Sequence, residues 1–294
     1  MKRGFSLLTL FILVCMTLAG CSESGGVESA KGTDTDAGGS GYFLWENTRI
    51  TGYTDLGLRQ KQLIVPAKCT ELAYGALREN TTVEKITFEN NDMQISQSAF
   101  WGCTSLSEIS LPSNISEIPA NCFQECSSLK KFTCPKNVQV IGKNAFMSCS
   151  ELREIVLNEG LSKIANSAFF QCSSLKEISF PKTVTEIEES AFEGASAIAK
   201  ISFSNGLKVI GLRAFYQCVA LKNAELPETV TTLEDLAFTY CDSLESIRLP
   251  ASLTELSKVA FGQTHPIEVY VKKDSLADRE FDNYNDGTMT KLYY

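Results

Sequence analysis

The 294-residue chain is 44% hydrophobic and 21% charged, enough apolar mass for one large or two medium domains with a substantial core. Its formal charge of −8 argues against a nucleic-acid binder, which needs a basic face. The charge by itself names no other partner.

Lys2 and Arg3 open the chain with positive charge, and an apolar run from Phe5 to Leu18 follows, broken only by Ser6, Thr9 and Thr17. A positive start, a short apolar stretch and small residues at its end describe an export signal. The run falls short of the ~20 residues of a comfortable membrane span. The sequence Leu18-Ala19-Gly20-Cys21 resembles the bacterial lipobox. That resemblance implies removal of residues 1–20 and acylation of Cys21, a membrane anchor worth ~0.8 kcal/mol for each buried methylene. The alternative is an ordinary signal peptide with an incidental cysteine.

From Ser22 to Gly41 the chain reads SESGGVESAKGTDTDAGGSG, too poor in large apolar groups to fold. Residues 21–41 therefore form a flexible tether with a reach of roughly 25 Å. Folded structure is expected from Tyr42, with residues 42–62 as an N-terminal cap.

A constant period then takes over. Ala-Phe pairs end at Phe100, Phe146, Phe169, Phe192, Phe215, Phe238 and Phe261, while Ala76-Leu77 and Cys122-Phe123 fill the two remaining slots, so nine anchors recur every 23 residues without an insertion. Six residues after each anchor stands an apolar residue such as Leu106, Leu129 or Leu152; nine after stands Ile109, Phe132 or Ile155; eleven after stands Leu111, Cys134 or Leu157. Proline often follows, as at Pro112, Pro135, Pro181, Pro227 and Pro250, and position eighteen carries Ile118, Ile141, Ile164 and their equivalents. The alternation at nine and eleven predicts a short strand with one buried face, stopped by the proline. The anchor lies half a coil away on the opposite wall. No unit can bury both walls alone, so the units must stack and share a core.

The unit L-x-x-I-x-L-P-x-x-V-x-x-I-x-x-x-A-F-x-x-C resembles the leucine-rich repeats of the BspA-like, or Treponema pallidum, type over residues 56–272. Ile50-Thr51-Gly52-Tyr53-Thr54 is similar to that family's first capping strand, and Val269-Tyr270-Val271, Asp274-Ser275-Leu276 and Tyr284 are similar to its C-terminal cap. The resemblance implies an α/β repeat fold: a right-handed leucine-rich-repeat solenoid of 23-residue units, with one curved parallel sheet on the concave face and short helical or turn segments opposite. The solenoid would span residues 63–268 and the C-terminal cap residues 269–294. Asp92 in an apolar slot, Ala195 in a cysteine slot, and Asn158 and Ser204 in proline slots depart from the pattern and suggest local irregularity.

Cys15 goes with the signal and Cys21 with the lipid, which leaves nine cysteines. Cys103, Cys126, Cys149, Cys172, Cys218 and Cys241 each sit three residues after an anchor, while Cys69, Cys122 and Cys134 occupy other small apolar slots. Buried thiols fit these slots. Disulfides between neighbouring coils are the alternative, with suitable spacing but poorly directed side chains. A linear ladder does not converge four sulfurs on one metal ion.

Chemistry-bearing patterns are few. His265 is the only histidine, so no serine has an evident base for a hydrolytic triad. No phosphate-binding loop or zinc motif is present, and no catalytic residue, cofactor or metal is expected. The acid pairs Glu188-Glu189 and Glu234-Asp235 fall in variable positions that read as solvated. What remains is the outward side of the predicted sheet. Positions eight after the anchors carry Lys85, Glu108, Lys131, Glu154, Glu177 and Lys200, and positions ten after carry Glu225 and Arg248. Alternating signs on neighbouring strands can neutralise one another, yet a broad polar concave sheet is also where solenoids bind. Family resemblance and lipobox together imply a non-enzymatic, monomeric lipoprotein of a bacterial cell envelope. It would sit at the outer membrane, exposed at the surface, binding protein or glycan in adhesion. A periplasm-facing scaffold without a host ligand is the alternative.

Overall fold

A computed structural model describes residues 41–262 and 266–294. The export signal of residues 1–20, the lipid site Cys21, the tether up to Ser40 and His265 lie outside the described residues.

Each 23-residue unit makes one coil with two strands and one turn. The longer strand comes from the alternating segment, as in Lys131–Thr133, Glu154–Val156, Glu177–Ser179 and Lys200–Ser202. In each, the middle residue is buried and its neighbours face outward, as a pleat with one dry face requires. Neighbouring coils pair parallel, one period apart, so that Lys131 lies opposite Glu154 and Glu177 opposite Lys200. Ile267–Val271 and Met289–Tyr293 extend this long-strand face beyond the last regular unit.

The single sheet expected from the sequence is corrected in two ways. First, the isoleucine or leucine at position eighteen ends a second strand only two residues long, and these make a ladder of their own. It runs unbroken through seven strands from Glu117–Ile118 to Glu255–Leu256. Gly142 and Gly211 follow two of them, and a Cβ there would come within 2.8 and 3.0 Å of the neighbouring coil's backbone; glycine permits that approach. Second, the long-strand face is not one sheet. Its hydrogen bonding lapses after Glu108–Ile109, after Glu154–Val156 and after Lys200–Ser202, that is, at every second coil.

Opposite the long strands the anchor segment is a turn rather than a helix. Residues two before and two after the anchor take left-handed backbone angles, among them Ser98, Asn121, Asn144, Ser167 and Ser190 before it and Glu125, Ser148 and Gln171 after it. Asn and Ser tolerate this region better than branched residues do. The result is a third ladder: the Phe123, Phe146, Phe169 and Phe192 amides each donate 2.8 Å to the carbonyl of the residue before the next coil's anchor. Among the described residues, helices occur only outside the coils, at Gly57–Arg59, Leu276–Arg279 and Phe281–Tyr284.

The anchors stack face to face inside. Ring centroids from Phe100 through Phe123, Phe146, Phe169 and Phe192 to Phe215 are 5.0–5.4 Å apart and nearly parallel. The side chains are fully buried, each worth roughly 1.5–3 kcal/mol in burial alone and ~0.5–1.5 kcal/mol more per aromatic pair. Beside them runs the cysteine ladder. Cys126, Cys149 and Cys172 each donate a thiol hydrogen to the carbonyl of the preceding coil's anchor, at 3.0–3.1 Å. The same carbonyl accepts the amide of its own coil's cysteine, as Phe123 does from Cys126. The nine cysteines among the described residues are free and buried, and none of these thiols bridges another.

Both ends of the stack are closed. An antiparallel hairpin, Phe43–Glu46 with Arg49–Tyr53, pairs Ile50 with Leu72 and so heads a separate short-strand sheet that ends at Gln94–Ile95, and the Tyr53 hydroxyl donates to the Leu77 carbonyl at 3.0 Å. At the other end Tyr284 continues the aromatic column 5.9 Å from Phe261. The Asp278 carboxylate holds the closing segment through Lys291 and Tyr293, each at 3.0 Å.

Three outcomes follow. Phe169→Ala should lower unfolding free energy by ~3–5 kcal/mol, read from the shift in a urea transition at unchanged slope. Burial pushes the Cys103 and Cys241 thiols up from 9.0 to about 12. The folded state therefore holds protons that the unfolded chain releases above pH 9, so stability is full below that value and declines progressively between pH 9 and 12. Urea midpoints measured across that range should fall steadily, and thiol titration of native protein at pH 7 should find the nine buried cysteines unreactive until denaturant is added.

Candidate binding face

The eight charged residues singled out in the sequence all stand on the long-strand face, and register decides which of them meet. Lys85 reaches Glu108 at 2.5 Å, Lys131 reaches Glu154 at 2.6 Å, and Arg248 reaches Glu225 at 3.1 Å. Each pair joins two hydrogen-bonded strands and is largely exposed, so each adds at most a few tenths of a kcal/mol. Glu177 and Lys200 face one another in register without closing an ion pair. Ser246 donates to Asn223 at 2.7 Å in the same column. The pairs neutralise the face and hold its side chains in place.

The breaks in the ladder fall between these pairs, and each opens into a cleft. The first, of about 650 Å³, lies between Glu108–Ile109 and Lys131–Thr133. The second, about 420 Å³, lies between Glu154–Val156 and Glu177–Ser179. The third, about 440 Å³, lies between Lys200–Ser202 and Asn223–Glu225. Where strands stay paired, the amide eleven residues after the anchor crosses to the next coil at Cys134 (to Val156), Phe180 (to Ser202) and Leu226 (to Arg248), though the Phe88 amide does not. At the breaks the equivalent amides of Leu111, Leu157 and Phe203 make no such bond, and their side chains are only partly buried against the core. Each cleft thus combines an apolar floor with a backbone donor that the next coil does not use. Val156, 43% exposed, lines the first and second clefts, and Ser202 lines the second and third.

Two of the irregular positions shape the cleft walls. Asn158, standing where other coils have proline, donates to the Pro135 and Val138 carbonyls at 2.8 and 2.9 Å and to the Cys134 sulfur at 3.2 Å, while its oxygen accepts from Gly160. Ser204 donates to the Pro181 carbonyl at 2.8 Å. Both tie the coil just before a break to the coil that precedes it. At the far end Tyr294 folds back so that its hydroxyl lies 2.9 Å from Glu228 and 3.0 Å from the Leu249 carbonyl, with Arg248 over its ring at 3.7 Å. Burial, with the Glu228 carboxylate beside it, pushes that hydroxyl's pKa up.

The acid pairs have a structural use away from this face. Glu188 accepts the Asn166 amide and pairs with Lys163; Glu234 accepts the Leu212 amide and Asp235 the Ser257 hydroxyl. Among the described residues no group of His, Cys, Asp and Glu is arranged to hold a metal ion, and no helix is long and apolar enough to cross a membrane. Sequence reasoning found the charged columns but missed the clefts and the unbridged amides. The one signal it had was the loss of proline at Asn158 and Ser204, one coil before two of the three breaks.

Fold and face together define a capped solenoid of parallel coils with a polar, indented long-strand face. A family profile described as the BspA type leucine-rich repeat region matches in six copies over residues 56–176 and 139–268. The chain belongs to the BspA-type leucine-rich-repeat family. Among solved structures, a leucine-rich repeat protein from Bacteroides ovatus is similar at 17% identity, with 86% of this chain and 97% of that one covered and a TM-score of 0.41. A leucine-rich cell surface protein from Faecalibacterium prausnitzii is similar at 18% identity, covering 85% and 97%, with a TM-score of 0.38. The leucine-rich repeat protein of T. pallidum is similar at 22% identity, covering 79% and 85%, with a TM-score of 0.31. No curated protein matches by sequence.

Asn158→Ala removes donors to two carbonyls and should cost about 1–2 kcal/mol, measured by urea denaturation; Asn158→Pro should recover part of the loss by restoring the residue most other coils use.

Proposed function

We propose that this chain is a lipid-anchored protein of a bacterial cell envelope that displays its solenoid for binding, with the protein or glycan ligand held on the long-strand face. The observation that carries this reading is the face itself. It is a polar surface running the length of the solenoid, its charges largely neutralised in Lys85–Glu108, Lys131–Glu154 and Glu225–Arg248 pairs, and it is indented by three clefts that packing leaves unfilled. Extended polar faces of this kind are what repeat solenoids offer to partners. In this reading the export signal and Cys21 supply the anchor, and the tether of residues 21–41 has a reach of roughly 25 Å. Glu177 and Lys200, in register but unpaired, stand at the second cleft and are the two charges of the face freest to meet a ligand. The solenoid acts as a monomer, needs no cofactor and catalyses no reaction in this reading.

Proteinase treatment of intact cells, with blotting for this protein and for a periplasmic control, tests the display. Loss of this protein while the control survives is the expected result. Survival of both would overturn surface display and favour a periplasm-facing scaffold. Replacing Cys21 with Ala should release the protein from the membrane fraction; retention would overturn the lipid anchor.

A further inference from the structure

Resting on the reading of the long-strand face as the binding surface, we infer that its ligand is an extended, proline-rich polypeptide in the polyproline II conformation. The peptide lies along the solenoid axis with the same side of each turn seated in a successive cleft.

The first argument is spacing. The three clefts recur at every second coil. Parallel coils lie ~4.8 Å apart, which places neighbouring clefts roughly 10 Å from one another. A polyproline II helix has three residues per turn at a rise of 3.1 Å, so it presents the same side every ~9 Å. A β-strand laid along the axis would present the same side every ~6.8 Å, out of step with the clefts.

The second argument is chemistry, and it separates the polyproline helix from an α-helix, whose residues also fall on one side at about 10 Å over two turns. An α-helix has already used its carbonyls internally. A polyproline II helix has no internal hydrogen bonds, and its carbonyls are open. Proline in addition lacks an amide hydrogen, so a proline-rich segment brings acceptors and apolar rings but few donors. The clefts offer the complement. The amides of Leu111, Leu157 and Phe203 have no partner on the next coil, and the side chains of the same three residues are partly buried on the core. One ring and one carbonyl per turn would meet one apolar floor and one amide per cleft. Preformed extended structure also lowers the ordering cost of binding.

The test uses the full-length protein in detergent micelles and fluorescently labelled oligoprolines of three, six, nine and twelve residues, followed by fluorescence polarisation. A nine-residue glycine-serine peptide and a neutral, labelled β-linked glucose oligosaccharide are the comparison probes. Affinity should tighten at least several-fold with each added turn up to nine residues, then level off when the three clefts are full. Val156→Glu, at an exposed position between two clefts, should weaken nonaproline binding at least tenfold with an unchanged circular dichroism spectrum and urea midpoint, whereas Val156→Thr should bind as the parent does. Absence of saturable nonaproline binding overturns the inference. Binding that ignores length or Val156→Glu also overturns it. Saturable oligosaccharide binding lost in Val156→Glu, with nonaproline silent, overturns the polyproline ligand and leaves the long-strand face standing as a binding surface. Saturable binding of either probe that Val156→Glu leaves intact places the site elsewhere, and both readings fall.

Discussion

The molecule depends on one contact repeated along its length: an anchor phenylalanine stacked on the next anchor, its amide donating to the coil ahead. The stack sets the distance between coils at 5.0–5.4 Å along the aromatic column, and the anchor amide fixes their rotation. Nothing else in the unit can be moved independently. The thiol three residues later is placed to meet the previous anchor's carbonyl, and the two left-handed residues flanking each anchor are there because the turn must aim alternate amides at one neighbour. Because every coil touches only its neighbours, stability grows as a sum of these interfaces, and the ends need the hairpin at Phe43–Tyr53 and the Tyr284 segment to finish the stack.

Ala195 shows how the unit tolerates change. It replaces the cysteine of its coil, is fully buried, and keeps its backbone donation to the Phe192 carbonyl at 3.1 Å. What it drops is the thiol's bond to the preceding coil. The slot therefore demands a small apolar group, and the sulfur adds a hydrogen bond to a carbonyl that already has one partner. That explains why cysteines can be abundant here with no disulfide among them. Burial raises every one of these thiols, which keeps them protonated and unreactive while the coil is folded.

The repeat was legible in the sequence because a period of 23 with no insertion leaves no choice of register: Phe146, Ile155 and Ile164 can share a core only if coils stack. Strand and turn were distinguishable for the same reason, since alternation marks one and the Ala-Phe pair the other. The second ladder escaped notice because a strand of two residues, such as Val140–Ile141, is shorter than any alternation can register. The helical option opposite the strands failed on Asn121, Asn144 and Ser167, whose left-handed angles suit a turn. The clefts were beyond reach, because the sequence repeats every coil while the breaks occur at every second one. Leu111, Cys134, Leu157 and Phe180 fill one repeat slot, yet only Cys134 and Phe180 carry the bond to the next coil.

That doubling of the period changes what the long-strand face can do. A ladder bonded at every coil would spend its backbone groups on itself, and its charged columns would then be a solvated surface with salt bridges of little consequence. Interrupting the ladder at every second coil returns backbone donors to the surface while the second and third ladders hold the coils together. The seven short strands run past all three breaks, and the anchor amides cross them at 2.8–3.0 Å. The solenoid can therefore open one wall at regular intervals without loosening its core. A regular array of openings favours a ligand that is itself regular, and the number of coils sets how many of its turns are held.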